Sequence, residues 1–192
     1  MIARLAGHAV QDWVLDEAGV LPAARQVPSP NCDARPELAA LDLGVIHNIS
    51  LPPGVFAGDA VERLFCNSLE RSAHPYFEGL HGLRVSAHFF VRRSGEIVQF
   101  VPCGLRAWHA GASSWQGREH CNDFSVGIEL EGVDELAYAP GQYAALAGIG
   151  IALRRRYGLA RYVGHADIAP GRKTDPGVAF DWTRFRSALG RG

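Results

Sequence analysis

The sequence predicts an α/β domain, a single unit in which helices flank a central mixed β-sheet. Three observations carry this reading. Apolar runs of strand length alternate along the chain with stretches of helical period, which favours parallel pairing through crossover helices. One pair of β-rich runs is joined tightly enough to form a hairpin, which adds an antiparallel pair. The chain of 192 residues is also long enough for one core, burying roughly 70% of its unfolded surface.

The elements follow in chain order. Val27 to Pro36 carries three prolines, each restricting itself and the residue before it, so it reads as an extended arm laid over the domain. Leu43 to Asn48 is a short apolar run ending in polar residues, and Asp59 to Leu69 reads as a helix after a Gly-Asp start. Ala87 to Arg92 and Glu96 to Val101 flank the turn signal Arg93-Ser94-Gly95 and form the hairpin. Ser125 to Glu131 alternates strictly, with Val126, Ile128 and Leu130 facing one way and Glu129 and Glu131 the other. From Pro140 to Tyr157, Tyr143, Leu146, Gly150, Leu153 and Tyr157 recur at helical spacing, although Gly148 and Gly150 weaken the helix. Arg161 to His165 is a further strand, and the last helix starts with Asp181 as N-cap and runs to Leu189.

Composition narrows the function classes. Nineteen basic and 20 acidic residues give a net charge of −1, which lacks the cationic surplus that neutralising nucleic-acid phosphates needs. No run reaches the roughly 20 apolar residues of a membrane span. The start, Met1 to His8 followed by Asp12, Asp16 and Glu17, does not read as a signal peptide. Cys32, Cys66, Cys103 and Cys121 have no C-x-x-C spacing, so they are expected to be reduced, mostly buried thiols of a cytoplasmic protein.

Histidines and carboxylates supply the candidate chemistry. His47 closes an apolar strand just before Pro52-Pro53-Gly54, and His165 stands at another strand end, where sheet proteins place functional groups. The loop after His165 presents Lys173 and Asp175, which share a face if the segment is extended. His47, His165 and Asp175 would make the three-ligand set of a hydrolytic zinc that keeps one position open for water. The bland alternatives are a hydrogen-bonded core histidine and a solvated Lys-Asp pair. Glu129 or Glu131 would serve as general base; alternation does not choose between them, and an exposed strand face remains possible. Arg106 to Gly111 and Ser113 to Arg118, with Trp108 and Trp115, have the composition of a sugar- or peptide-binding wall, or of core tryptophans. His88 and His74 read as structural.

Assembled, these segments resemble the AmpD family of cytoplasmic zinc amidases of the N-acetylmuramoyl-L-alanine amidase type. The resemblance runs from about Val27 to Leu189. It rests on Val27-Pro28-Ser29-Pro30, His47-Asn48-Ile49-Ser50-Leu51-Pro52-Pro53, Leu83 to His88, Ala107-Trp108-His109-Ala110-Gly111, Cys121 to Gly132 and Arg172-Lys173-Thr174-Asp175-Pro176-Gly177. It implies a zinc-amidase or peptidoglycan-recognition-like fold, with residues 1–26 as an N-terminal extension packed on a catalytic domain of residues 27–192. It further implies that His47, His165 and Asp175 bind zinc, that Glu129 is the catalytic glutamate, and that Lys173 stabilises the oxyanion. Asn48, Arg84 and Trp108 would contact substrate. The implied reaction cleaves the amide between the lactyl group of 1,6-anhydro-N-acetylmuramic acid and L-alanine during peptidoglycan recycling. The expected partner is an anhydromuropeptide, met by a monomer with no nucleic-acid partner and no membrane span. His120 departs from the family pattern, standing where arginine is expected in Arg-Glu-Arg-Cys-Asn. Two rival readings share the fold: a muropeptide-binding domain that has lost its ligands, which the intact set here opposes, and a secreted wall amidase, which the lack of an apparent signal peptide opposes.

Overall fold

A computed structural model describes residues 13–37 and 39–190. The leading residues 1–12, which carry the reading of the chain start and nearly half of the 1–26 extension, lie outside the described residues. The main sheet contains Arg25–Gln26 (β1), Leu43–Ile49 (β3), Phe89–Val91 (β4), Ile97–Gln99 (β5), Ser125–Glu131 (β9) and Arg161–Gly164 (β10). Their order is β1-β5-β4-β9-β3-β10. The hairpin pair β4 and β5 is antiparallel and every other pairing is parallel, so the sheet is mixed as expected. Two small antiparallel pairs lie outside it: Cys32–Ala34 (β2) with Leu105–Ala107 (β6), and Ser114–Trp115 (β7) with Arg118–Glu119 (β8). The proline-rich arm is therefore more than a cover. β1, just before it, joins the sheet edge and β2, within it, pairs with β6, while Leu21 and Ala24 upstream enter the main core.

Helices cover both faces. Pro140–Tyr157 (α2) and Trp182–Leu189 (α4) pack on the side of Val126, Ile128 and Leu130, with Leu146, Ile149, Leu153 and Phe185 filling the layer between. Each such side chain contributes about 1.5–3 kcal/mol on leaving water. On the other face, Val61, Leu64 and Phe65 of Ala60–Phe65 (α1) meet Phe90, Val98 and Phe100. All seven residues of β9 are buried, so Glu129 and Glu131 do not lie on an exposed strand face. The two glycines that weaken α2 have a packing reason. A Cβ at Gly148 would lie 2.4 Å from the Trp13 ring, and one at Gly150 would lie 2.4 Å from Leu189 Cδ2.

Several boundaries differ from the sequence reading. The helix read over Asp59 to Leu69 ends at Phe65, and Asn67 just beyond it takes a left-handed φ of 59°. The strand at Arg161 stops at Gly164, and His165 instead opens the one-turn helix His165–Ile168 (α3). Asp181 caps α4 as expected, its Oδ1 accepting from the Arg184 N–H at 2.8 Å. Cys103 and Cys121 are buried, Cys32 and Cys66 only half-buried, and all four are unpaired.

Candidate metal centre

Three parallel strands aim their C-terminal ends at one cleft, the position that open α/β sheets use for ligands. In the ladder His47 of β3 pairs in register with Glu129 of β9, and Gly164 of β10 pairs with Ile46. His165 thus follows directly beside His47. The turn after α3 returns Asp175 to the same spot, its carbonyl oxygen accepting from the Ala166 N–H at 3.0 Å.

His47 Nδ1 lies 2.9 Å from His165 Nδ1 and 3.1 Å from Asp175 Oδ2, and His165 Nδ1 lies 3.0 Å from the same oxygen. Two imidazole nitrogens and a carboxylate oxygen therefore converge on one point. Both histidines are buried, at 1% and 3% exposure, and this His47–His165–Asp175 group can hold a metal ion. Burial pushes the His47 imidazole down to about 4, against the pull of the Asp175 carboxylate.

Glu129 stands beside this group. Its Oε2 is buried and has no hydrogen-bond partner among the described residues, an expensive arrangement for a carboxyl oxygen. Burial raises its carboxyl well above the ordinary range, the Asp175 charge adds to this, and Lys173 opposes it. Lys173 is exposed and lines the same cleft as Asp175, while Thr174 between them is exposed and does not line it. The segment is turned rather than extended, with Lys173 N–H donating to the Ala169 carbonyl and Gly177 N–H to the Thr174 carbonyl. Besides these polar residues the cleft is lined by the apolar Leu51, Leu64, Phe65, Leu80, Leu83 and Val85.

The chain matches the N-acetylmuramoyl-L-alanine amidase family model over residues 39–178. It belongs to that family. As an amidase it is 57% identical over 178 residues to the 1,6-anhydro-N-acetylmuramyl-L-alanine amidase AmpD of Citrobacter freundii, covering 92% of this chain and 95% of that one. The crystal structure of a selenomethionine AmpD derivative superposes with a TM-score of 0.90 at 57% identity, covering 92% of this chain and 99% of that one. A complex of the amidase AmiD from Escherichia coli with anhydro-N-acetylmuramic acid-L-Ala-D-γ-Glu-L-Lys is more distant. It gives a TM-score of 0.57 at 31% identity, over 80% of this chain and 60% of that one.

The three positions read as substrate contacts are less uniform within this amidase. Asn48 lines the cleft, with its amide donating to Asp134 Oδ1 at 2.7 Å. Arg84 is exposed between two cleft-lining residues, Leu83 and Val85, and does not itself line the cleft. Trp108 is half-buried; its backbone N–H donates to the Ser86 hydroxyl at 3.1 Å, and its indole stands against the Asp33 carboxylate. His109, treated in the sequence as part of an aromatic wall, is the residue that reading missed. It is buried and its Nδ1 lies 2.9 Å from His47 Nε2. Its place between Trp108 and the small pair Ala110-Gly111 was the available signal, since small neighbours let a loop approach a buried site.

Proposed function

We propose that this amidase binds zinc through His47, His165 and Asp175 and hydrolyses the amide joining the lactyl group of 1,6-anhydro-N-acetylmuramic acid to L-alanine. The observation that carries this is the convergence of the three donor atoms beside a buried, unpartnered glutamate oxygen. Donor atoms about 2.0–2.2 Å from a tetrahedral zinc are roughly 3.3 Å apart, and those here are 2.9–3.1 Å apart. Two imidazoles and one carboxylate also match the donor set of hydrolytic zinc, with one position left for water.

Zinc so held supplies Lewis acidity that lowers the pKa of water from 15.7 toward about 7. Glu129 accepts the proton of the water that attacks the lactyl carbonyl, and its raised affinity for protons lets it keep that proton until the amide nitrogen needs it. As the C–N bond breaks, the proton passes to the departing nitrogen, leaving a lactyl carboxyl group and a free L-alanine amine. The Lys173 ammonium faces the carbonyl oxygen while negative charge develops on it. Asn48 and Trp108 contact the substrate, and the Arg84 guanidinium pairs with a carboxylate of the stem peptide.

We assign the catalytic unit to residues 27–192, with residues 13–26 packed on it, acting as a monomer in the cytoplasm during wall recycling. The unpaired state of all four cysteines supports a reducing compartment. Among the described residues no helix is long and apolar enough to cross a membrane. Incubating the chain with anhydromuramyl-tripeptide, with and without a chelator, tests the reaction by mass spectrometry. Free tripeptide should appear in the zinc-replete sample and vanish on chelation. Its absence from the zinc-replete sample overturns the assignment, and fractionation of cells tests the compartment.

A further inference from the structure

We infer that His109 and the Ala110 carbonyl form an outer clamp that fixes both metal-binding imidazoles in the tautomer whose bare Nδ1 faces Asp175. This rests on the zinc reading above and concerns the residues behind the ligands.

Ser125 Oγ lies 2.5 Å from the Cys121 carbonyl oxygen and 3.2 Å from His109 Nε2. A carbonyl oxygen only accepts, so the Ser125 hydroxyl donates to it and must accept from His109 Nε2–H. His109 is buried among the rings of His47 and His88, and a neutral imidazole carries one N–H, so its Nδ1 is left as an acceptor. The group facing that Nδ1 is His47 Nε2, at 2.9 Å. His47 therefore donates from Nε2, and its Nδ1 has no proton. The second ligand is set by the next residue. His165 Nε2 lies 3.2 Å from the Ala110 carbonyl oxygen and donates to it, so His165 Nδ1 is bare as well.

Two consecutive residues thus deny a proton to both nitrogens that face the Asp175 carboxylate. Without that clamp His47 could turn its N–H toward Asp175 and close the site as an ordinary hydrogen bond. With it, three lone pairs face one another and a cation is the partner that satisfies them. The segment is held from behind: Asn122 Oδ1 accepts from the backbone N–H of His109 at 3.1 Å and of Ala110 at 2.8 Å, and Arg172 donates to the Ala110 carbonyl at 2.7 Å. An independent observation lies in β9. A Cβ at Gly127 would stand 2.4 Å from His109 Cγ, so glycine there is what admits this ring against the central strand. His109 lines the cleft but acts through His47, so its role is that of a positioning residue.

Zinc affinity of the full chain, measured by competition with a fluorescent chelator, tests this. His109→Leu fills the space without an acceptor and should weaken zinc roughly 10- to 100-fold. His109→Asn keeps an acceptor near the Nδ1 position and should recover most of that loss. Gly127→Ala, which alters no ligand, should act in the same direction as His109→Leu. Equal weakening by the Leu and Asn variants, or none by either, overturns the inference while leaving the zinc reading intact. Long-range proton–nitrogen correlations of the unmutated, zinc-loaded chain provide a test that needs no variant. They should show the Nε2–H tautomer for His47, His109 and His165, and an Nδ1–H signature at His109 overturns the inference. Failure of the unmutated chain to bind zinc overturns both readings.

Discussion

Glu129 and Glu131 stand two residues apart on one face of β9 and are both buried, yet their surroundings are opposite. Glu131 is saturated: Oε1 accepts from the Ala57 N–H and Oε2 from the Arg93 N–H, each at 2.8 Å, and the Arg92 guanidinium lies 3.7 Å away. Arg92 in turn pairs with Glu62 and Glu96, which both hold Arg25. Two guanidiniums and three carboxylates interlock there, and the result is a brace between α1, the hairpin and the sheet edge. Glu129 has an empty oxygen, a neighbouring carboxylate and an open cleft. A buried acid whose bonds are all filled serves the fold, whereas one left short of partners at a cleft is available for proton transfer.

The largest expected effect tests the unsaturated member. Glu129→Gln keeps the shape and removes the proton acceptor, so kcat should fall by roughly 10²–10⁴-fold while bound zinc and Tm stay near their original values. Turnover that survives in the zinc-loaded variant would erase the distinction between the two glutamates. Lys173→Ala comes next. It should lower kcat by about 10²-fold with a smaller change in KM, because its charge matters most when the oxyanion forms. A change confined to KM would make Lys173 a binding group instead. Glu131→Gln should do the reverse of Glu129→Gln. Its amide nitrogen would face one of the two backbone N–H donors, costing about 1–3 kcal/mol of stability in urea unfolding, with kcat per folded molecule unchanged. If kcat falls as far as in Glu129→Gln, the brace and the active site are not separable.

The same pair marks the limit of what could be read from sequence. Alternation along Ser125 to Glu131 placed both glutamates on one face, and no local feature separates them. The groups that do, Ala57 and Arg93, arrive from segments 74 and 38 residues away. Residue-level resemblance singled out Glu129 where periodicity could not. The hairpin, the long helix and the Asp181 cap were legible because their signals are local. The two- and three-residue strands β1, β2, β6, β7 and β8 were not, since pairing rather than propensity creates them. His109 was missed for a related reason: a histidine behind a metal ligand has no spacing signature of its own.

His88 extends the contrast from the glutamates to the histidines. It is as buried as His47, but its ring nitrogens are committed to the fold. Nδ1 accepts from the Gly127 N–H at 3.0 Å, and Nε2 lies 3.1 Å from the Leu105 carbonyl oxygen, with the Arg35 guanidinium 3.0 Å away. Burial, helped by the Arg35 charge, pushes His88 down to about 3 from an ordinary 6.5. Below pH 6.5 the unfolded chain therefore takes up a proton that the folded chain refuses. The stability from neutral His88 is complete above pH 6.5 and is lost as the pH falls toward 3, by up to roughly 1.4 kcal/mol per pH unit. His88→Asn keeps an acceptor for Gly127 and removes the titration. Urea unfolding of the metal-free chain at pH 6, 5 and 4 should show a slope shallower by about that amount in the variant, whatever its stability at pH 7. An unchanged slope would mean that His88 protonates as readily in the folded chain as in the unfolded one, and saturation by backbone groups would then not be what keeps a buried histidine out of the chemistry.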